Sequence, residues 1–421
     1  MLLFIDQPKF SKYFMKNIIW STGHMLRYND IVDADNCYVY DRNGQRMIDL
    51  ESGVWCTCLG HNNKRINTVI TEQINRISHT GFCYCHPAVA ETAEKILSIT
   101  NMPDGGCEFL SSGSEAVEYG MRIARALSRK PLALSYTDAY FGTYGDAALK
   151  DSRNWFVYDR FDCSCSKTGN GCSGDCSRFE EIPFENIGIF ILEPGSSMGL
   201  VRFPEQSLVE KIAGIVQANG GIVISNEVTT GIGRTGKWFG YQHYNIQPDI
   251  IAMGKGLGNG YPVSAVAVSE RIMKELASGS FHYSQSHQND PLGAVVAGEV
   301  IDIIQESDLI WGAAFKGEYL LECLRGLKEE MPLISDVRGR GLMLAIEFKH
   351  STDIINSELL KRGFITGRRP NAEVLRLDPA LTIEKATIDH FVTALREILS
   401  GTGGEASPQD IMYKQTDKIQ A

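Results

Sequence analysis

Through the middle of the chain, short apolar segments alternate with longer segments whose apolar residues recur at helical spacing. The short segments predict strands and lie at residues 132–136, 188–192, 221–225, 249–253 and 264–268. Segments 115–127 and 206–218 predict intervening helices. This alternation is typical of an α/β domain in which helices cover both faces of a mostly parallel sheet.

The pattern changes towards the C-terminus. Residues 336–348 predict a turn into a strand, residues 374–377 predict another strand, and residues 383–399 predict an amphipathic helix. We therefore expect a large domain at 55–310 and a small α/β domain at 311–400, which the N-terminal segment 1–54 joins. Residues 401–421 are rich in Gly, Ser, Gln and Lys and predict a flexible tail.

Composition and charge exclude several classes of partner. The 421 residues carry a formal net charge of −10 and contain no basic block, which argues against nucleic-acid binding. No apolar stretch approaches the roughly 20 residues that cross a bilayer, so we expect no membrane association. Asp6 interrupts the apolar start of the chain and no small-residue cleavage site follows, which favours a cytoplasmic protein.

Cysteine is frequent in this sequence. An odd number, 11, in a chain of this length favours reduced thiols over a disulfide framework. Cys163, Cys165, Cys172 and Cys176 lie in one Gly- and Ser-rich segment and are a candidate zinc or iron–sulfur site. Their spacing is not that of a double CxxC motif, so a surface loop of free or redox-active thiols is the alternative.

Two short segments carry residues with reactive or ligand-binding potential. Lys255 follows the apolar segment 249–253 after Gly254. A lysine amine in a dry pocket loses its proton and attacks carbonyl carbons, although a lone lysine here is better explained as a solvated one. Residues 112–115, Ser-Gly-Ser-Glu, begin a predicted helix. Small residues at a helix N-terminus suit a phosphate group, and the same residues suit an ordinary helix cap.

Three segments, 111–116, 226–236 and 249–258, occur in the order found in class III aminotransferases, and the chain closely resembles these fold type I enzymes from about Tyr38 to about Leu399. The resemblance implies a large domain with a mostly parallel seven-stranded sheet, a small α/β domain, and pyridoxal 5′-phosphate (PLP) as cofactor. It implies that Lys255 forms a Schiff base with PLP and transfers protons. An amino group then moves from an amino acid or amine to an oxo acid through pyridoxamine phosphate.

The resemblance also assigns roles to individual residues. Gly113 and Ser114 hold the phosphate, and Tyr140 stacks on the pyridine ring. Ser286 reaches the phosphate of the neighbouring subunit, which implies a homodimer with shared active sites. The substrate contacts are Trp55, in the pocket wall, and Arg376, whose fork suits a carboxylate. The other residues expected to contact the cofactor are Ser112, Phe141, Glu193, Asn226, Val228, Thr229 and Lys255.

Three of these positions depart from the family pattern. Asn226 stands where the family has an aspartate that keeps the pyridine nitrogen protonated, Phe141 replaces a histidine, and Thr229 replaces a glutamine. An amide cannot form that ion pair, and each lost pKa unit costs about 1.4 kcal/mol of preference for the protonated ring. A retuned cofactor, compensation by Glu193 and an introduced substitution are the three explanations, and the sequence does not choose among them.

Two other functions stay open at this point. With Asn226 in place of aspartate, the cofactor ring withdraws electrons more weakly, which changes the balance between protonation at the cofactor carbon and at the substrate carbon. Since racemisation returns the proton to the substrate carbon, the first alternative is an amino-acid racemase or epimerase on the same fold. Its signature is a second acid–base group opposite Lys255, and the sequence identifies none. The second is a PLP-binding regulatory protein without turnover. We do not expect a regulatory protein, because there is no room for a DNA-binding segment before Tyr38 and no basic patch.

Overall fold

Three β-sheets form the framework that positions the functional residues. The computed structural model describes residues 17–402 except 23, 25, 29, 163–164, 166–171, 197, 199, 280 and 370–371. The expectations for residues 1–16, Cys163 and 403–421 lie outside the described residues. The strands described are β1 (Ile31–Asp35), β2 (Tyr38–Asp41), β3 (Arg46–Asp49), β4 (Gly106–Leu110), β5 (Leu132–Tyr136), β6 (Trp155–Tyr158), β7 (Ile187–Leu192), β8 (Ile222–Asn226), β9 (Ile250–Met253), β10 (Ser264–Val268), β11 (Ile334–Arg340), β12 (Met343–Phe348), β13 (Phe364–Ile365), β14 (Gly367–Arg368) and β15 (Val374–Leu377).

Helices connect and cover these strands. They are α1 (Ser52–Trp55), α2 (Lys64–Ile74), α3 (Pro87–Ile99), α4 (Gly113–Leu127), α5 (Asp146–Leu149), α6 (Ser177–Glu180), α7 (Gln206–Ala218), α8 (Glu270–Ser278), α9 (Pro291–Glu306), α10 (Leu309–Glu330), α11 (Thr352–Lys361) and α12 (Lys385–Thr402). The predicted helix 206–218 coincides with α7, and 115–127 lies within α4. Within the described part of the chain, no helix has both the length and the apolar character needed to cross a bilayer.

The largest sheet has seven strands in the order β4-β10-β9-β8-β7-β5-β6. β10 is antiparallel to both of its neighbours, and the other adjacent pairs are parallel. The predicted mostly parallel seven-stranded sheet is therefore confirmed, and the five predicted strands correspond to β5, β7, β8, β9 and β10. The apolar pattern does not predict β4 or β6. Most residues of β4 are only partly buried, so its sequence is not a continuous apolar run.

Helices cover both faces of this sheet. Ile189 and Ile191 of β7 pack with residues of α4, whereas the alternating Phe190 and Leu192 pack with residues of α7. Because successive side chains of a strand point to opposite faces, α4 and α7 lie on opposite sides of the sheet. Burial on both faces explains why β7 is continuously apolar rather than alternating.

Two further sheets have four strands each, in the orders β1-β2-β3-β13 and β11-β12-β15-β14. The expectation of a turn into one strand at 336–348 needs correction, because the structure has a hairpin in which β11 pairs antiparallel with β12. β11 is largely polar, so backbone pairing rather than an apolar run defines it. β15 coincides with the predicted strand 374–377, and α12 covers most of 383–399. The domain boundaries at 54/55, 310/311 and 400/401 stay predictions.

Candidate active site

Five segments that carry predicted site residues meet at one edge of the seven-stranded sheet. β4, β5, β7, β8 and β9 run in the same direction, since β10 is antiparallel to both β9 and β4. The residues that end or follow these strands are Ser112, Tyr140, Glu193, Asn226 and Lys255. The carboxyl edge of a parallel sheet is where α/β proteins commonly bind ligands. The sheet therefore gathers residues that the sequence spreads over more than a hundred positions.

The pocket around Lys255 disfavours a charged ammonium group. Burial lowers the pKa of Lys255, although the nearby Cys56 and Glu193 act in the opposite direction. The Nζ atom lies 5.0 Å from the centre of the Trp55 ring. Near neutral pH this amine is therefore neutral more often than that of a solvated lysine, which favours nucleophilic attack and proton transfer.

Two serine side chains at the start of α4 accept hydrogen bonds from backbone N–H groups. Ser112 Oγ accepts a hydrogen bond from the Glu115 N–H at 3.3 Å, and Ser114 Oγ accepts one from the Thr143 N–H at 3.3 Å. Because the first N–H groups of a helix have no partner within the helix, this end attracts anions. Both interpretations of residues 112–115, a helix cap and an anion cradle, are compatible with this geometry.

Glycine allows the start of α4 to approach its neighbours closely. A Cβ atom at Gly113 would lie only 2.6 Å from Val228 Cγ1, and a Cβ atom at Gly254 would lie 3.3 Å from Gly113 Cα. A side chain at Gly113 would therefore collide with Val228. This close packing places the residue before Lys255 against the first turn of α4, so that Lys255 and the anion cradle lie on adjacent segments.

The backbone of Tyr140 is held between two buried side chains. Its N–H donates to Glu193 Oε2 at 2.9 Å, and its carbonyl oxygen accepts from Asn226 Nδ2 at 2.9 Å. Glu193 and Asn226 are each 3% exposed, whereas Tyr140 is 41% exposed. The main chain is thus fixed while the ring stays accessible, which suits stacking on a planar ligand.

The orientation of the Asn226 amide follows from its two backbone partners. Oδ1 accepts from the Val228 N–H at 3.2 Å, and Nδ2 donates to the carbonyl of Tyr140. Since a carbonyl only accepts and an N–H only donates, the reversed amide would lose both hydrogen bonds. An aspartate here would direct a second acceptor at the Tyr140 carbonyl, so these surroundings suit an amide.

The hydroxyl group of Thr229 can form a hydrogen bond to a ligand. Its Oγ1 is buried and has no hydrogen-bond partner within the described residues. Such a group costs about 1–3 kcal/mol unless something binds it. The anion cradle at Gly113, the buried hydroxyl of Thr229 and the amine of Lys255 fit the phosphate, the phenolic oxygen and the aldehyde of PLP.

Trp55 links Lys255 to a cationic group. The Cζ atom of Arg376 lies 4.0 Å from the centre of the Trp55 ring, and its Nη2 donates to Glu51 Oε1 at 3.0 Å. Only 8% of the Arg376 side chain is exposed. A substrate carboxylate would therefore meet a largely desolvated guanidinium group that already has one carboxylate partner.

The segment α1 that carries Trp55 has an unusual backbone. The φ angles of Ser52, Gly53, Val54 and Trp55 are 48°, 55°, 61° and 67°, which places four consecutive residues in the left-handed region. Left-handed backbone costs roughly 1–2 kcal/mol per non-glycine residue and is least favourable for β-branched ones. The Ser52 hydroxyl anchors the segment by donating to the Asp378 carbonyl at 2.6 Å. Strain of this kind is typical of functional positions.

Replacing Val54 by glycine is expected to raise the free energy of unfolding by about 1 kcal/mol, because glycine adopts positive φ without steric cost. Val54 is 46% exposed, so little apolar burial is lost. The matched control is Val157→Gly in β6, where a valine of similar exposure has ordinary strand geometry and the change should destabilise. Calorimetric melting temperatures measure both effects, and equal destabilisation by the two changes would contradict the strain.

The structure does not bring two predicted residues into this pocket. Phe141 is 1% exposed and stacks on Trp155 at 6.3 Å between ring centres, so its side chain belongs to the core. Ser286 lies exposed in a turn. It is adjacent to His287, which lines a cavity of about 200 Å³ together with Ser111. Cofactor contacts from both residues stay predictions.

The sequence interpretation missed three charged residues near Arg376. Glu51 pairs with it, and Asp378 lies 4.0 Å from its Nε. Burial raises the pKa of Asp378 to about 6, against the opposing effect of Arg376 and Arg234. Arg27 donates to the Thr366 carbonyl at 2.7 Å. Glu51 and Asp378 adjoin segments that the sequence did single out, whereas no signal in the sequence marks Arg27.

Comparisons with known proteins identify the family of this chain. The family model of class-III aminotransferases matches residues 21–155 and 159–399. The human mitochondrial alanine–glyoxylate aminotransferase 2 is 28% identical, over 93% of this chain and 84% of its own. A leucine/methionine racemase from Thermococcus litoralis is 29% identical, over 88% of this chain and 90% of its own.

Solved structures show the same architecture. The crystal structure of an S-selective transaminase from Arthrobacter sp. with alanine bound is 25% identical and has a TM-score of 0.83, covering 93% of this chain and 97% of that one. The family match covers most of the sequence, and the amine of Lys255, the buried hydroxyl of Thr229 and the start of α4 fit PLP. The chain therefore belongs to the class-III aminotransferases and is a PLP-dependent aminotransferase.

Proposed function

We propose that this aminotransferase acts on amino acids and oxo acids whose carboxylate is bound by Arg376. The observation that carries this proposal is the position of Lys255 Nζ and the Arg376 guanidinium on one Trp55 ring, 5.0 and 4.0 Å from its centre. Trp55 therefore borders both an amine that can react with an amino or oxo group and a guanidinium group that suits a carboxylate. Arg27, Arg368 and Arg376 are close enough for their positive charges to influence one another, and Glu51 is the negative charge near Arg27. This group of arginines adds to the attraction for an anion.

Named residues would hold the cofactor. We assign Ser112, Gly113 and Ser114 to the phosphate, Tyr140 to the ring face and Thr229 to the phenolic oxygen. Val228 packs against Gly113 and supports this arrangement, and Glu193 fixes Tyr140. When bound, PLP supplies an aldehyde that condenses with amines and a ring that withdraws electrons from the substrate carbon. The protein supplies orientation, exclusion of water and proton transfer.

Lys255 performs the proton transfer in this proposal. Its lowered pKa leaves Nζ neutral for part of the time, so that it can take a proton from the substrate carbon and return it at a neighbouring atom. Trp55 limits where Nζ can move, because the ring lies beside it. The left-handed backbone of α1 in turn fixes the position of Trp55.

An absorbance titration of the PLP-loaded enzyme with single amino acids and amines tests the proposal. We expect amino acids to change the cofactor spectrum and to yield one oxo acid per donor consumed, measured by mass spectrometry. Amines that lack a carboxylate should react far more slowly. Equal reaction rates for amino acids and for amines without a carboxylate would show that Arg376 does not bind the substrate. Reaction with neither kind of compound would contradict the proposed substrate class.

Racemisation is a second candidate, supported by Asn226 and by the similarity to a leucine/methionine racemase. An amide does not stabilise a protonated pyridine ring as an aspartate does, which changes the balance between the two sites of reprotonation. Chiral chromatography of the recovered amino acid distinguishes the functions. Transamination yields an oxo acid, whereas racemisation yields the opposite enantiomer without an oxo acid.

The change Asn226→Asp is expected to lower the stability of the PLP-free protein by about 1–3 kcal/mol, because an acceptor replaces the donor facing the Tyr140 carbonyl. PLP should recover much of this loss, since the carboxylate pairs with a protonated ring nitrogen. Melting temperatures with and without PLP measure both effects. Asn259→Asp is the matched control, because Asn259 Nδ2 also donates to a carbonyl, that of Gly60, at 3.0 Å. Recovery in both variants, or no loss for Asn226→Asp, would contradict this account.

We also infer a homodimer with shared sites. Ser286 is exposed in a single chain, so it is accessible to a second subunit, as the resemblance to the family implies. Phe82 and Tyr84 are 63% and 75% exposed, as expected for residues that a second copy covers. A heterodimer of one Lys255→Ala subunit and one Ser286→Asp subunit should keep about half of the activity, because one of its two sites is intact. An inactive heterodimer, or a fully active Ser286→Asp homodimer, would contradict shared sites.

A cytoplasmic location and a role in amino-acid metabolism complete the proposal. The ten cysteines in the described residues are not in disulfides, which suits a reducing compartment. Fractionation of cells that produce the protein, with detection by an antibody, tests the location.

A further inference from the structure

Three cysteines come together in the segment between β6 and α6. The Sγ atoms of Cys165, Cys172 and Cys176 all lie within 4.8 Å of one another, and those of Cys172 and Cys176 are 3.5 Å apart. Cys172 is only 1% exposed, and the other two are partly buried. All three contact the apolar cluster that covers the α7 face of the large sheet. The thiols are thus held on a packed surface, and PLP chemistry assigns them no role.

Hydrogen bonds to the sulfur atom of Cys172 favour negative charge on it. The Tyr158 hydroxyl donates to Cys172 Sγ at 3.1 Å, and the Gly174 N–H donates to the same atom at 3.3 Å. Gly174 has a φ of 82°, so the chain turns back over the preceding sulfur in a conformation that glycine adopts without cost. Donors of this kind stabilise a thiolate, which is the form that binds metals.

The number of sulfur atoms also points to a metal ion rather than to a disulfide. A thiolate next to two further thiols is a better metal ligand than an isolated cysteine. Three sulfurs in mutual contact also exceed what one disulfide can use.

The separations suit a tetrahedral metal ion. With Zn–S bonds of about 2.3 Å, tetrahedral geometry places neighbouring sulfurs about 3.8 Å apart. The observed separations, from 3.5 Å to no more than 4.8 Å, require only small side-chain rotations to reach this value. Soft thiolate ligands select zinc and similar thiophilic ions over magnesium or calcium.

We propose that Cys165, Cys172 and Cys176 bind a thiophilic divalent ion such as Zn²⁺ in a structural site. The three thiols supply three of the four tetrahedral positions and release their protons to solvent on binding. Cys163 lies outside the described residues and is not part of this assignment. The bound ion cross-links the segment before α6 to the surface of the large sheet, so that it stabilises the fold without taking part in amino transfer.

Metal titration of the full-length, PLP-loaded protein under reducing conditions tests the site. The protein is first treated with a chelator, and Co²⁺ is then added as a spectroscopic probe. We expect one equivalent to bind with a sulfur-to-cobalt charge-transfer band and the intense visible bands of tetrahedral cobalt. Zn²⁺ should displace it and raise the melting temperature in a concentration-dependent way. Absence of the charge-transfer band in the wild-type protein would overturn the proposal without reliance on any variant.

Variants distinguish this site from other thiols. Cys176→Ser should weaken Zn²⁺ binding by at least about 100-fold, more than loss of an outer partner of a metal site does. Cys323→Ser, which changes a cysteine on α10, should bind zinc as the wild type does. Equal zinc binding by the two variants would overturn the assignment. An unchanged melting temperature of metal-free Cys176→Ser shows that the variant folds.

Thiol labelling separates metal binding from oxidation. Alkylation followed by mass spectrometry should show the three cysteines protected by Zn²⁺ and released by a chelator alone. Protection that only a reductant removes would mean a disulfide and would overturn the proposal. The PLP absorbance should not change on zinc removal, so a negative result here leaves the amino-transfer proposal untouched.

Discussion

Replacing Lys255 by alanine is expected to lower turnover by at least about 10³-fold, because the variant loses both the nucleophile and the group that moves the proton. Borohydride treatment of the PLP-loaded wild type should add the mass of PLP, less one water and plus two hydrogen atoms, to the peptide that contains Lys255. The variant should gain no mass, and dialysis should remove its PLP. Steady-state kinetics and mass spectrometry of the reduced protein measure these effects.

A surface lysine provides the control for this change. The Lys274 side chain on α8 is 71% exposed, so Lys274→Ala should keep wild-type turnover and labelling. Covalent labelling of another lysine in Lys255→Ala would contradict the assignment of Lys255, as would turnover within about tenfold of the wild type.

The pH dependence of PLP uptake tests the lowered pKa of Lys255. Only the neutral amine attacks the aldehyde, so the rate of PLP incorporation into the PLP-free protein should rise with pH and then level off. Since burial lowers the pKa of Lys255, the midpoint of this rise should lie below pH 10.5, the ordinary pKa of lysine. The Glu193 carboxylate raises this pKa, so Glu193→Gln should move the midpoint to still lower pH. A midpoint at or above the ordinary pKa would contradict a desolvated amine.

Replacing Arg376 by leucine is expected to lower kcat/KM for carboxylate-bearing substrates by about 10²–10³-fold. Loss of a charge-assisted, partly desolvated partner typically costs a few kcal/mol. Compounds of the same shape with a carboxamide in place of the carboxylate should be affected by less than about tenfold. Kinetics measure this comparison directly, and inhibition constants of matched carboxylate and carboxamide analogues serve where the amide does not turn over.

Glu51 offers a matched test of the same group. Glu51→Gln removes the carboxylate that pairs with Arg376 and leaves the guanidinium in place. We expect unchanged or tighter binding of carboxylate substrates, because they no longer compete with an internal anion. Arg376→Lys keeps the charge but loses the planar fork, so its effect should lie between those of the wild type and Arg376→Leu. Equal losses for carboxylate and carboxamide compounds would show that Arg376 acts by packing against Trp55.

Much of the large sheet was predictable from the chain itself. The strands β5, β7, β8, β9 and β10 are continuous apolar runs because both of their faces are buried. β4, β6 and the hairpin strand β11 were not predicted. Most residues of β4 and β11 are only partly buried or exposed, so their pairing depends on partners elsewhere in the chain rather than on an apolar pattern of their own.

In the candidate site, too, some features were predicted from the sequence and others were seen only in the structure. Lys255, Gly113 and Asn226 were predicted as site residues because they lie in short segments that resemble the family pattern. The segments did not reveal what Asn226 does. Its amide orientation depends on the Tyr140 carbonyl, 86 positions away. The Glu51 partner of Arg376 lies 325 positions away and was missed altogether.

By itself, the sequence determined which segments are buried, where α4 begins, and which lysine follows a buried strand. Apolar periodicity and capping residues are local properties of a chain. Only the tertiary structure decided the lowered pKa of Lys255, the left-handed turn beneath Trp55 and the meeting of three cysteine thiols. Desolvation, backbone strain and side-chain pairing depend on groups that folding brings together from distant parts of the chain.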